Sequence, residues 1–255
     1  MTVPGILLST GGAFVFFFLI FRPLEATFPA KDGQTIVRPH WFVDLCFFLG
    51  QYLVWTAIVL WMVVRFGTGL RELVPAGVRE SIALQPTWLQ FIGVVVVSDF
   101  LIYWGHRAQH HFPLLWRFHA VHHTAEHLDW LAAHREHPFD TIYTVGLVNV
   151  PIYLSGVPIE TLGLFAAFRG VWAVYIHSNV RLPIGPLRML IGAPELHHWH
   201  HDRDRKAGNY ANLSPLMDML FGTYRCPDHE PDAFGIDRPV RQNYLSLMLY
   251  PFRQK

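Results

Sequence analysis

The chain has 255 residues, of which 52% are hydrophobic and only 15% are charged, and its mean hydropathy is +0.25. These values are unusual for a soluble globular domain, so we expect much of the chain to lie in a lipid bilayer. The formal net charge of +1 provides no basic field, and no nucleic-acid-binding motif accompanies it, which argues against a nucleic-acid-binding protein.

Five apolar segments predict helices that cross or enter the membrane. The first three are long enough to cross the ~30 Å hydrocarbon core. The last two are shorter, and the Gly-Val-Pro break between them predicts a hairpin that is partly re-entrant. In chain order the predicted spans are residues 5–21, 41–64, 88–104, 141–154 and 162–176. Charged side chains interrupt the second, third and last of them, at Asp44, Asp99 and Arg169.

Histidine is concentrated outside these segments. All of the 16 histidines except His40 and His229 lie in two blocks, 106–137 and 177–201. If the third span leaves the membrane on one face and the hairpin returns to that face, the two blocks meet there. We therefore expect one all-α integral membrane domain over residues 1–255, with four to five transmembrane or re-entrant helices. Residues 105–140 and 180–255 would form a helical cap that holds a two-metal site.

The orientation of this cap follows from its charge. The second cap segment contains Arg181, Arg188, Arg203, Arg205 and Lys206. An excess of Lys and Arg is typical of cytoplasmic loops, so the cap is predicted to face the cytoplasm. The compact length and the absence of an evident ER-retrieval signal favour a bacterial inner membrane as the location of the spans.

Three histidine boxes have spacings that suit metal binding. They are HRAQH at 106–110, HAVHH at 119–123 and HHWHH at 197–201. Residues three and four positions apart share one face of a helix, so the imidazoles of each box can reach one metal region. His198 falls between the spaced positions of the third box, which leaves eight spaced histidines. A closed structural zinc site needs only four ligands and usually includes cysteine, so eight histidines indicate two metals. Imidazole suits Zn, Cu, Fe and Ni alike, and the spacing alone does not choose between them.

The boxes and their surroundings resemble the fatty acid hydroxylase and sterol desaturase superfamily of membrane di-iron oxygenases. The segments that carry the resemblance are SDFLIYWGHRAQH (98–110), LWRFHAVHHTAEH (115–127), REHPFD (135–140), HSN (177–179), HHWHH (197–201) and GNYANLSPLMDMLFGTY (208–224). The iron ligands that the resemblance implies are His106, His110, His119, His122, His123, His137, His177, His197, His200 and His201.

The same resemblance implies an activity. It predicts two iron ions, dioxygen as co-substrate, and hydroxylation or desaturation of an unactivated C–H bond in a membrane lipid such as a fatty acyl chain, a sterol or a related isoprenoid. Electrons would come from a separate protein, a ferredoxin or a haem protein with its reductase, because the sequence contains no evident haem or flavin motif. The alternative is a histidine-rich membrane metal transporter or metal-binding protein.

Asp99 is the one further candidate for the site. It lies two helical turns before His106 on the same face, and metal-bound histidines commonly donate their second N–H to a carboxylate. We hypothesise that Asp99 orients His106 or a neighbouring ligand; the alternative is a buried carboxylate bonded to another helix.

Overall fold

A computed structural model describes residues 3–253, apart from the side chains of Val3 and Val63. All regular elements in this range are helical, which confirms the predicted all-α class. The helices are α1 Val3–Thr27, α2 Trp41–Gly50, α3 Thr56–Leu70, α4 Ala76–Ala83, α5 Thr87–His111, α6 Pro113–His123, α7 Pro138–Leu154, α8 Ile159–His177, α9 Pro194–His200, α10 Leu216–Leu220 and α11 Tyr244–Arg253.

Four helical segments are long and apolar enough to cross a membrane, and this confirms a membrane protein with several spans. They are Pro4–Thr27, Trp41–Leu73, Thr87–His111 and Ile159–His177. Large apolar side chains such as Leu8, Leu19 and Trp61 point outward from them, as expected where lipid rather than water is the solvent. The predicted span at 141–154 forms part of α7, which is not among these four segments.

The second span contains one turn of π-helix at Gln51–Trp55, between α2 and α3. The hydroxyl of Thr56 donates to the backbone oxygen of Gln51 at 2.7 Å. A π-turn adds a residue to the helix and changes which side chains face inward, and such turns are frequent at functional sites. Gln51 and Tyr52 line a cavity beside α7 and α8.

Helix α8 is central because it contributes to two hydrophobic cores. In one core Phe165 packs with Val94 and Ile102 of α5 and with Val148 of α7. In the other, Val174 packs with aromatic residues of α1 and α2 and with Trp130 and Leu131 of the cap. Because the two cores pack against opposite sides of α8, they hold the helix in place, and with it His177 at its C-terminal end.

Buried charges attach the cap to the second span. The guanidinium of Arg38 contacts Asp44 at 2.7 Å and Asp129 at 2.6 Å, and Asp44 also binds Arg135. Asp44 is fully buried, so it is not a lipid-facing interruption of the predicted span but the centre of an ion-pair network. The network joins α2 to the polypeptide that follows the second histidine box.

Candidate metal centre

Helix α5 carries the first box to the end of the third span. His106 and His110 lie one turn apart on the buried face of the helix. The Nδ1–H of His106 donates to the carbonyl of Tyr210, and that of His110 donates to the carbonyl of Arg205, both at 2.8 Å. These bonds set the tautomer, because a carbonyl only accepts, and they leave each Nε2 lone pair free for a metal.

Helix α6 carries the second box. Pro113 at its first turn has a φ suited to a helix start, and one face of the helix buries His119, His122 and His123. His122 Nδ1 donates to the carbonyl of Arg135 at 3.1 Å. His119 Nδ1 lies 2.9 Å from a carboxylate oxygen of Asp140.

The remaining histidines come from α8 and from the region of α9. His177 Nδ1 donates to the carbonyl of Ala173 at 2.6 Å, and His200 Nδ1 donates to the carbonyl of Gly208 at 2.8 Å. Gly208 has a φ of +88°, and a Cβ there would lie 2.1 Å from the backbone oxygen of Thr223, so only glycine fits beside His200. His197 and His201 lie on either side of His200 and face the same interior.

Nine of the ten histidines predicted from the sequence meet in two groups, and each is no more than 7% exposed. One group is His106, His110, His119, His123 and His200, and the other is His122, His177, His197 and His201. Within each group the possible ligand atoms lie within 4.8 Å of one another. Each group is therefore compact enough to surround one metal ion.

Pairs of ring nitrogens face each other at close range within the groups. The two Nε2 atoms are 3.0 Å apart between His106 and His119, and 2.9 Å apart between His122 and His177. Both rings of each pair already have Nδ1 engaged with a carbonyl or a carboxylate, so the facing Nε2 atoms are left as lone pairs that a cation would satisfy. The Nε2 atoms of His110 and His200 are buried without any hydrogen-bond partner, which fits a cation in the same way.

Burial keeps these imidazoles neutral. For the six that lie outside the spanning helices, desolvation lowers the pKa well below the usual histidine value. They are His119, His122, His123, His197, His200 and His201. Neutral imidazole is the form that coordinates a metal, so the donor set fits two cations that favour nitrogen ligands.

The structure does not bring His137 to either group. Its Nδ1 accepts the backbone N–H of Phe139 at the start of α7, and its Nε2 contacts the backbone oxygen of Met248 at 3.2 Å. Its ring packs among Phe118, Phe139 and Phe252. His137 thus caps a helix and anchors α11, and we leave it out of the ligand set.

Asp99 acts on a loop rather than on a histidine ring. Its carboxylate accepts the backbone N–H of Leu213 at 3.0 Å, whereas the partner of His106 is the carbonyl of Tyr210. Asp99 could therefore influence His106 only through the loop between Tyr210 and Leu213.

Asp140 is the carboxylate that contacts a metal-facing histidine directly. It lies 3% exposed in the first turn of α7, between His119 and the amide of Gln109. Its segment REHPFD carries part of the family resemblance, but its contact with His119, 21 residues away, leaves no local signature in the sequence. Only the packing of α7 against α5 and α6 creates it.

Two adjoining spaces lie beside the histidines. A cleft of about 70 Å³ is lined by His106, His119, His122 and His177. A cavity of about 590 Å³ lies between α3, α7 and α8, and we call it the lipid cavity. The residues that line both are Ala133, Glu136, Thr144, Arg169 and Ala173, so the two spaces are adjacent.

Comparison with known proteins gives a consistent set of relatives. The family model described as fatty acid hydroxylase matches residues 91–223, which include all nine clustered histidines. An ornithine lipid hydroxylase of Rhizobium tropici is 28% identical over 91% of this chain and 70% of its own length. Methylsterol monooxygenase 2-2 of Arabidopsis thaliana is 29% identical over 76% of this chain and 70% of its own length.

A third relative is matched over a smaller share of its length. The alkylglycerol monooxygenase of Homo sapiens is 31% identical over 60% of this chain, but the match spans only 34% of that protein. No solved structure gives a significant match.

Proposed function

The chain belongs to the fatty acid hydroxylase family, and from this premise we propose that it is an oxygen-dependent di-iron monooxygenase that hydroxylates an unactivated C–H bond of a membrane lipid. Membership makes it an oxidoreductase that acts on lipids, as its relatives' names indicate for them. The metal, the co-substrate, the electron donor and the reaction position are parts of the proposal.

The observation that carries the proposal is the pair of buried, neutral imidazole groups at one end of the helix bundle. Transport would call for ligands spread along a path through the spans. Here nine rings converge from α5, α6, α8 and the α9 region, and most are held by a bond on the opposite ring nitrogen. Such an arrangement supports a fixed two-metal centre.

Two bound iron ions would supply dioxygen activation and the oxidation of the C–H bond, while the protein positions the ions and the lipid. The Nδ1 bonds to carbonyl groups hold the Nε2 atoms toward the metals, and Asp140 does the same for His119. The lipid cavity brings an apolar substrate to the metal centre without passing it through water.

The stoichiometry requires an electron donor. A hydroxylation consumes the C–H substrate, one O₂, two electrons and two protons, and it yields the alcohol and one water. We propose that a ferredoxin or a haem protein with its reductase supplies the electrons. We further propose that the cap faces the cytoplasm of a bacterium, where such donors are available.

Metal analysis and lipid analysis together test the function. Protein produced with adequate iron should contain about two iron ions per chain. Cells that express it should accumulate a lipid heavier by one oxygen, and His122→Ala or His200→Ala should abolish both the product and the iron. His111→Ala is the matched control, because His111 is exposed at the end of α5 and belongs to neither group.

Two outcomes would overturn the proposal. One is zinc alone in protein from iron-replete cells, which would favour a metal-binding or transport role. The other is an unchanged lipid profile although the protein contains iron and is supplied with a reductase and a lipid extract.

A further inference from the structure

The lipid cavity follows one face of α8 to the metal centre. Leu162, Ala166, Arg169 and Ala173 line this face at intervals of three or four residues. The lined stretch from residue 159 to residue 174 is about 22 Å long, which exceeds one leaflet's half of the ~30 Å hydrocarbon core. His177 follows on the same helix, so an extended lipid in this cavity would have one end at the metals.

The two ends of the lipid cavity differ in polarity. The far end is lined by apolar residues such as Val64, Ile159 and Leu162. Asn149, a polar residue of the wall, donates its amide to the backbone oxygen of Val145 on its own helix. The end beside the metals carries Glu136 and Arg169 together with two threonines. A lipid that matches this distribution binds with its headgroup toward the metals and its chain toward the far end.

Arg169 lies in the wall of the lipid cavity without a direct protein contact for its charge among residues 3–253. It donates no hydrogen bond and forms no ion pair there, and the charge that acts on it most is the nearby carboxylate of Glu136. Glu136 itself accepts a hydrogen bond from the hydroxyl of Thr141 at 3.1 Å. A cation that makes no hydrogen bond and no contact ion pair within a membrane span is costly and marks a functional position. The planar guanidinium has five donors whose geometry matches a carboxylate or a phosphate.

We propose that Arg169 binds an oxyanion in the headgroup of the lipid, a carboxylate or a phosphate, and so determines which lipids are bound and which carbon is oxidised. The cleft beyond Arg169, of about 70 Å³, has room for a small group beside His119 and His122 but none for an acyl chain. The oxidised C–H bond therefore lies in the headgroup or within a few bonds of it. The statement about the oxidised carbon rests on the proposed function, whereas the binding of the headgroup by Arg169 does not depend on it.

Binding of simple amphiphiles tests the role of Arg169 independently of the metals. The purified full chain in phosphatidylcholine nanodiscs is titrated with hexadecanoate, hexadecyl phosphate and hexadecanol, which share one chain length. Wild-type protein should bind at least one of the two anions about tenfold or more tightly than the alcohol, because a hydrogen bond to a charged group contributes that much. The two anionic arms distinguish a carboxylate from a phosphate headgroup.

Variants separate recognition from folding. Arg169→Gln should lose the preference for the anion and keep its affinity for hexadecanol, and Arg169→Lys should restore part of the preference. Glu136→Gln should strengthen anion binding, because it removes the carboxylate that competes for Arg169. Arg65→Gln is the matched control: it removes an arginine from α3 that is exposed and outside the cavity wall, and it should change nothing.

The outcomes are decisive for Arg169. Equal binding of all three amphiphiles by the wild type would overturn the proposal, and so would an equal loss of all three in Arg169→Gln. Fragmentation of the oxidised lipid by mass spectrometry should then place the new oxygen near the headgroup, and a mid-chain position would also contradict it. Failure of the proposed function would appear as absent iron or absent product, while the binding preference would remain measurable.

Discussion

Five imidazoles of the metal centre donate Nδ1 to a backbone carbonyl, whereas Arg169 in the adjoining lipid cavity donates to no residue in the described range 3–253. The metal centre is closely packed and its outer hydrogen bonds are made within the protein. The lipid cavity is roomy, mainly apolar and charged at one end. The difference indicates that the protein itself fixes the position of the metals, whereas the cavity depends on the lipid to complete its contacts.

The largest expected effect comes from the ion pairs that hold the cap. Arg38→Met leaves the buried carboxylate of Asp129 without its main cation, and loss of one partner from a buried pair costs about 3–5 kcal/mol. The carbonyl of Arg135, whose side chain binds Asp44, accepts from His122, so the metal centre should loosen as well. Thermal unfolding in detergent and retained iron measure the two effects.

The control removes an arginine from an exposed pair. Arg188 lies 3.7 Å from Asp228, which is 94% exposed, and surface pairs contribute about 0–1 kcal/mol. Arg188→Met should therefore unfold close to the wild-type temperature. Equal unfolding temperatures for the two variants would mean that the buried network does not hold the cap.

Two separate variants, Asp140→Asn and Asp99→Asn, test whether a hydrogen bond to a metal-facing histidine matters more for iron binding than a hydrogen bond to a nearby loop. Asp140→Asn keeps the shape but removes the acidic group next to His119, and we expect about a 10- to 100-fold loss of iron affinity or turnover. Asp99→Asn should have a smaller effect, because its oxygen can still accept the N–H of Leu213. Iron titration of the two variants under the same conditions makes the comparison. A larger loss of iron affinity in Asp99→Asn than in Asp140→Asn would assign the orienting role to Asp99.

The sequence was sufficient for features that depend on local spacing. The i, i+3 and i, i+4 spacing around His106, His119 and His197 predicted the faces that meet, and the apolar runs predicted the spans. Contacts between distant segments had no such signal. The pairing of Arg38 with Asp129, 91 residues away, and the acceptance of the His106 N–H by the carbonyl of Tyr210 both arise from packing.

His137 shows that a motif in the sequence does not by itself establish a contact in the structure. It lies in a segment that carries the resemblance, but the helix that begins after it uses its Nδ1 as a cap. The family pattern indicates that a histidine occurs there and does not indicate which way its ring turns. The sequence contained no signal for the lipid cavity either, because α3, which forms one of its walls, is far in the sequence from α7 and α8.

Filling the far end of the lipid cavity should weaken lipid binding and leave the metal centre unchanged. A Cβ at Gly163 would meet nothing within 4 Å, so Gly163→Leu should fill this end without a clash. We expect roughly tenfold weaker binding of hexadecanoate, an unchanged preference for anions, and unchanged iron content. Gly93→Leu is the control: Gly93 lies in α5, also has open space around it, and does not line the cavity. Loss of iron in Gly163→Leu would contradict the separation between the two regions.

His134, a histidine of the cavity wall rather than of the metal centre, should make the stability of the protein depend on pH. It is 6% exposed and donates Nδ1–H to the side-chain oxygen of Gln51 at 3.0 Å, and burial lowers its pKa to about 4. Between pH 6.5 and about 4 the unfolded chain binds a proton there that the folded chain does not. Stability is therefore complete above pH 6.5 and falls as the pH drops, by up to about 1.4 kcal/mol per pH unit.

Comparison with His134→Gln isolates this contribution. Glutamine does not titrate and can still bond to Gln51, so the variant should lose less stability than the wild type as the pH falls from 6.5 to 5. Bound metals suppress protonation of the nine clustered histidines but not of His134, so the difference between the two proteins should persist in the metal-loaded form. If metal loading removed the difference in pH dependence between the two proteins, His134 would titrate together with the clustered histidines. His134 would then belong to the metal centre and not to the wall of the lipid cavity.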